Sequence, residues 1–318
     1  MATPSRRPHK ATSAALHNAL TPEAALRRVA AYCLLQLEAN APGALTSTDP
    51  EFVHQMRVAL RRLRSAMRLF DDTSARRARK RLGPQLRELG RVLGEQRDWD
   101  VFIGSMLPSL GLPAAVRARA LRRRSAARIQ VRVLLAAPAH AKLLRALVAW
   151  LERPVAEANA KAAKASGKKS GSKILPQAVM PVLADYARPR LARLRRRVKR
   201  GAKRFPDLNQ EAWHRVRIDV KRLRYAVDAF GALFEPMAVR RYTAALEAAQ
   251  DLLGSLTDIN TARAMLGTLG LGDAALAGAQ RVLQEREAGL LAQAPACFAG
   301  MQAVEGFWKN SRTGEHHV

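Results

Sequence analysis

His54, Arg57, Arg61, Arg64 and Arg68 recur at intervals of three and four in the stretch from Asp49 to Phe70. On a helix of 3.6 residues per turn they form one row. Neighbours in such a row stand about 5–6 Å apart, so the arginines make a ladder of donors over roughly 15 Å. Guanidinium is planar, permanently charged and bidentate, which suits it to phosphate oxygens. A ladder of that length fits an extended chain of phosphates better than one compact anion. No acid occurs between Glu51 and Asp71. A merely solvated face mixes signs at i,i+4, and like charges at that spacing repel unless an anion lies along them. The histidine adds a donor that responds to pH, which predicts an anion affinity rising in acid. It has no nucleophile beside it in the motif, which argues against acid–base catalysis.

The row occurs twice. His214-Arg-Val-Arg217-Ile-Asp-Val-Lys221-Arg222-Leu223-Arg224 repeats His54-Gln-Met-Arg57-Val-Ala-Leu-Arg61-Arg62-Leu63-Arg64 at a displacement of 160 residues. Downstream, Leu93-Gly94 meets Leu253-Gly254, Asp98 meets Asp258 and Asp100 meets Asn260, all without a gap. Internal duplication is the simplest account, and it predicts two similar halves facing each other about a pseudo-two-fold axis. Asp228 stands where the first copy has Arg68, and Thr257 where it has Arg97, so the copies need not match in detail. Because the copies do not both keep two acids, Asp98 and Asp258 read as structural groups that orient nearby arginines or cap, rather than as metal ligands or a catalytic pair. Arg190, Arg193, Arg197 and Arg200 repeat the spacing a third time. In the runs Arg122-Arg123-Arg124 and Arg195-Arg196-Arg197 adjacent residues point in different directions, so most of each run reads as surface charge.

Helices must position these rows. Asp49 is a fitting N-cap, Pro50 suits the first turn, and Met56, Leu60, Leu63, Met67 and Phe70 form an apolar stripe beside the cationic one. Further helices are expected over 21–40, 82–106, 114–136, 139–152, 176–204, 209–231, 237–266, 272–294 and 296–309. A turn over 41–48 containing Pro42 and Gly43 should end the first, an arginine-rich turn should precede 82, and 176–204 should kink at Pro181 and Pro189. No segment alternates with a period of two, so the chain reads as all-α, with four or five helices per half. Residues 1–20 read as a disordered basic tail, 21–155 as the first half, 156–173 as a lysine-rich flexible linker, 174–309 as the second half and 310–318 as a frayed tail. The linker lacks GxxxxGK[ST] and a preceding strand, so it is no phosphate loop.

The 318 residues carry 55 Lys and Arg against 26 Asp and Glu, a net charge of +29. That balance concerns partners rather than fold, and it points to a polyanion: nucleic acid, an anionic membrane surface or a phosphate polymer. Aromatics at 5% give little support to single-strand stacking. The two cysteines, Cys33 and Cys297, form no CxxC and imply neither a zinc site nor a disulfide framework, in keeping with a cytoplasmic setting. No apolar run is long enough to span a bilayer.

HxxRVxxRRLR at His54 and HxxRxxxKRLRY at His214, with Leu93-Gly94-Glu-Gln-Arg97-Asp98-Trp-Asp100-Val101 downstream, resemble the paired signature of the CHAD family, the conserved histidine α-helical domain. The resemblance covers about 22–308. It implies two pseudo-symmetric four-helix bundles around a central basic cavity, and a cavity that binds inorganic polyphosphate. By motif the ligand-lining residues are His54, Arg57, Arg61, Arg62, Arg64, His214, Arg217, Lys221, Arg222 and Arg224. The rows add Arg68, Arg190, Arg193 and Arg197. The family is often associated with polyphosphate granules and is sometimes fused to a CYTH triphosphatase domain, whose ExExK motif is missing here. The expected function is therefore non-enzymatic polyphosphate binding, with no cofactor, metal or catalytic residue. A nucleic-acid-compacting protein and a polyphosphate-processing enzyme are the alternatives.

Overall fold

The computed structural model describes residues 7–153, 182–205 and 210–309. Within them lie nine α-helices and no strand: α1 (Pro22–Thr46), α2 (Glu51–Leu69), α3 (Ala75–Val101), α4 (Ala114–Ala136), α5 (Pro138–Leu151), α6 (Leu183–Lys203), α7 (Gln210–Phe230), α8 (Pro236–Gly267) and α9 (Asp273–Ala303). The chain is all-α, as the absence of period-two patterning requires. No single helix among the described residues is long and apolar enough to cross a membrane.

Helices that follow one another pack together: α1 on α2, α2 on α3 and α3 on α4, then α6 on α7, α7 on α8 and α8 on α9. Helix starts at Pro22, Glu51, Ala75 and Ala114 recur at Leu183, Gln210, Pro236 and Asp273, each within one residue of the 160-residue displacement. The apolar stripe of α2 is buried throughout, as are its counterparts Val216, Val220, Leu223, Val227 and Phe230 on α7. The two runs of helices meet where α2 packs on α7. There Phe70 and Phe230, equivalent in the repeat, touch edge to face with centroids 5.4 Å apart. Such a pair adds roughly 0.5–1.5 kcal/mol beyond its area burial. A second core joins the end of α3, a π-helical turn at Phe102–Met106 and α4 to α8 and α9, through Trp99, Phe102 and Met106 against Ile259, Met265 and Leu283.

Four local expectations are corrected. α1 does not stop at Ala41: it runs through Pro42 and Gly43 to Thr46. The Phe52 ring lies so close to Gly43 that a Cβ there would come within 2.2 Å of it, so packing against α2 outweighs the turn signal. The arginine-rich segment before residue 82 is no turn but the first turns of α3, which begins at Ala75 and carries Pro84 inside it. Ala75 and Ala78 give those turns their buried side. Near the C-terminus one helix, α9, takes the place of two and passes through Pro295, with Ala294, Phe298 and Met301 buried around it. The N-terminal segment is not a loose tail over 7–20. His9 exchanges two hydrogen bonds with Asn40, at 3.0 and 2.9 Å, and Ala14 and Leu16 are buried. Asn18 accepts from the first free N–H groups of α6: its carbonyl from Leu183 and its Oδ1 from Ala184, both at 3.1 Å. Helix N-termini need such acceptors. Pro189 lies inside α6; Pro181, the 156–173 segment and the 310–318 tail fall outside the described residues.

Candidate functional site

α2 presents His54, Arg57, Arg61, Arg64 and Arg68 along one side, each partly or fully accessible. α3 is notched to receive them. A Cβ on Gly94 would stand 2.5 Å from Arg57 Nη1, and one on Gly90 would stand 3.2 Å from Arg64 Nη1. Two glycines one turn apart therefore let the guanidinium groups lie across the α3 backbone. Asp98, one turn past Gly94, approaches Arg57 at 3.9 Å, a loose pair. Among the described residues no carboxylate pairs with Arg61, Arg64, Arg68 or Arg87.

Packing α2 on α7 brings equivalent charges of the two copies together. Arg57 feels the charges of Asp98, Arg61, Arg97 and Arg217; Arg217 feels Asp258, Arg61 and Asp98. Burial and the surrounding cations push the Lys221 ammonium down to about 7: Arg217 first, then Arg61 and Arg57, with Asp258 opposing. Burial raises the carboxyls of Asp98 and Asp258, and the nearby guanidinium groups partly offset it. The imidazoles are held below their ordinary range, His54 by burial and then Arg97, His214 by burial and then Arg217. Burial and crowded like charges, only partly offset by Asp98 and Asp258, disfavour the protonated forms of these cations.

A hollow of about 400 Å³ lies between α2 and α3 and is lined by Arg64, Arg68, Arg76, Arg79, Lys80 and Arg87 with no carboxylate. A second, about 250 Å³, lies where α2 meets α6 and α7 and takes in Arg68, Arg79, Arg193, Arg197 and Arg222, with Asp71 on its wall. Arg68 and Arg79 line both, so the two cationic hollows adjoin.

Not every residue expected at the site reaches it. Arg62, one position off the row, donates to the Thr12 carbonyl at 2.9 Å and serves to hold the N-terminal segment. Arg190 lies over the Tyr186 ring at 3.3 Å, donates to the Leu69 carbonyl at 3.2 Å and pairs with Asp72. Arg224 is closed off by Asp228 at 3.4 Å and Glu247 at 2.9 Å. These three are structural contacts in the free protein. The sequence reading also missed Arg76, Arg79, Lys80 and Arg87. They share a helical register with one another, but the charge density before residue 82 disguised the start of α3. Among the described residues no group of three or more His, Cys, Asp or Glu is placed to hold a metal ion.

Nine packed helices and a groove walled by guanidinium groups define an all-helical protein built to face an anion. The sequence profile of the CHAD domain matches residues 28–267, and the chain belongs to that family, which is known to bind inorganic polyphosphate. Its structure is similar to the crystal structure of the CHAD domain from the plant Ricinus communis, with a TM-score of 0.72 and 28% identity over 95% of this chain and 98% of that one. It is also similar in fold to PptA from Streptomyces chartreusis, with a TM-score of 0.52 and 16% identity over 88% of this chain and 97% of that one. No curated protein matches the sequence.

Proposed function

We propose that this chain binds inorganic polyphosphate as an extended polymer, along the groove between α2, α3, α6 and α7, and does no chemistry on it. The observation that carries the reading is the hollow in which Arg64, Arg68, Arg76, Arg79, Lys80 and Arg87 stand with no carboxylate on the α2–α3 wall, adjoining a second cationic hollow against α6 and α7. Arg79 is held by Asp71 at 2.5 Å; the other guanidinium groups have no carboxylate partner among the described residues, and such groups in register bind repeated phosphates by charge-assisted hydrogen bonds. On this reading Arg57, Arg61, Arg217 and Lys221 form the deeper seat where the two copies meet, and His54 and His214 flank it. The halves are copies of one duplicated unit, a view supported by the matching helix starts and by the contact of Phe70 with Phe230. The setting proposed is the cytoplasm, at polyphosphate granules; the two free cysteines, Cys33 and Cys297, suit a reducing compartment.

Isothermal titration with polyphosphates of graded length tests this. Affinity per chain should rise with length until the groove is filled, and fall steeply with salt. Polyphosphate should displace duplex DNA at equal phosphate concentration, and do so far better than pyrophosphate. Equal competition by DNA would favour a general nucleic-acid binder. Release of phosphate with Mg²⁺, lost on Arg64→Ala, would make the protein an enzyme.

A further inference from the structure

The two copies of the repeat part company at one end of the cationic row. Beyond Arg217 the row ends at His214, which opens onto a hollow of about 320 Å³ between α7 and α8. Its walls include Trp213, Leu256, Thr257, Asn260 and Ala264. At the positions equivalent to Trp213, Thr257, Asn260 and Ala264 the first copy has Val53, Arg97, Asp100 and Gly104. The second copy has thus lost a cation and an acid here and gained an indole. The backbone differs as well: the first copy winds into a π-helical turn at Phe102–Met106, whereas α8 continues as regular helix to Gly267.

The hollow is neutral. His214 is the one titratable group in its lining, and burial, then the adjacent charges of Arg217 and Lys221, disfavour its protonated form. The Thr257 hydroxyl is spent on the Leu253 carbonyl at 2.8 Å and that of Thr261 on the Thr257 carbonyl at 3.0 Å. Asn260 Oδ1 accepts from Arg263 at 3.3 Å, and the Asn260 amide nitrogen has no protein acceptor among the described residues. Trp213 is backed by Phe205, the rings nearly parallel at 24° with centroids 5.9 Å apart. A phosphate gains nothing by entering such a space. A flat, uncharged heterocycle gains an aromatic wall, apolar neighbours and one amide donor. Arg217 follows His214 by one helical turn, so a group seated in the hollow has its charged tail directed to the cationic row.

We propose that this hollow takes the base of a nucleoside polyphosphate whose phosphates lie on Arg217, Lys221 and Arg61. The proposal rests on the reading of that row as a phosphate site. The probes are ATP and tripolyphosphate, titrated calorimetrically against the full chain. Tripolyphosphate is the more highly charged, so the row alone favours it. ATP should nevertheless bind at least about tenfold tighter, through contacts with its base. Ala264→Phe, at an exposed position on the wall, should erase that margin and leave tripolyphosphate within about twofold of the parent protein. Thr257→Arg, which restores the first-copy residue, should strengthen tripolyphosphate and weaken ATP. Equal binding of the two probes by the parent protein overturns the base pocket and leaves the cationic row standing. An ATP margin that survives Ala264→Phe overturns it as well, by placing the base elsewhere. Failure of tripolyphosphate and long polyphosphate alike overturns the row itself.

Discussion

α2 and α7 carry nearly the same motif, yet their arginines lead different lives. On α2 only Arg57 has an acidic partner, and at 3.9 Å a loose one. On α7, Asp219 pairs with Arg222 at 3.1 Å and also reaches Arg197 from α6 at 3.6 Å, while Asp228 and Glu247 hold Arg224. Only Arg217 and Lys221 on α7 stay without a carboxylate partner within salt-bridge distance among the described residues. A cation already paired must break that pair to meet a ligand, and gains less by the exchange than a bare one. The same motif therefore leaves a row of nearly bare cations on α2 and a largely self-neutralised row on α7. Motif identity alone does not say which.

The largest effect should come from removing the bare cations. Arg64→Ala with Arg68→Ala should lower long-chain polyphosphate affinity by about a hundredfold or more, since each charged hydrogen bond is worth roughly 1.5–3 kcal/mol. Arg222→Ala with Arg224→Ala should cost less than about tenfold. Equal losses in the two double variants, measured by calorimetry at matched helicity, would erase the distinction between the helices.

Next comes pH. A bound anion favours the charged form of Lys221, whose ammonium burial and the neighbouring cations push down to about 7 in the free protein. Binding therefore takes up a proton, and affinity should fall as pH rises through neutrality, by up to about tenfold over two pH units. The two histidines, held lower, act in the same direction in more acidic solution. Lys221→Arg should flatten the neutral part of the profile; an unchanged slope would assign the titration to another group.

The smallest effect sharpens the contrast from the other side. Asp219→Asn frees Arg222 and Arg197, and should raise affinity by about twofold to fivefold at a stability cost within about 1 kcal/mol. A loss of affinity would mean that Asp219 positions those arginines for the ligand.

Much of this was legible in the sequence. The stripe from Met56 to Phe70 specified the buried side of α2, and its copy from Val216 to Phe230 did the same for α7. With 3.6 residues per turn, the position of Arg62 next to Arg61 already turned it about 100° off the row. What stayed hidden depended on contacts distant in sequence. Pro42 and Gly43 look like a helix stop until Phe52 is seen against Gly43. Nothing local shows that Asp72 and Tyr186 will capture Arg190. The cations at Arg76, Arg79 and Lys80 were plain to read, but not the helix that lines them up with Arg87, because its buried side there is made of alanines.

Asn18 joins the chain's beginning to its middle, closing off the start of α6 from across the molecule. A fragment trimmed to the borders of the family match, at 28, would keep every arginine of the groove and yet lose this latch, along with the first turns of α1. The boundaries that suffice to recognise the domain are thus narrower than the part of the chain that caps α6.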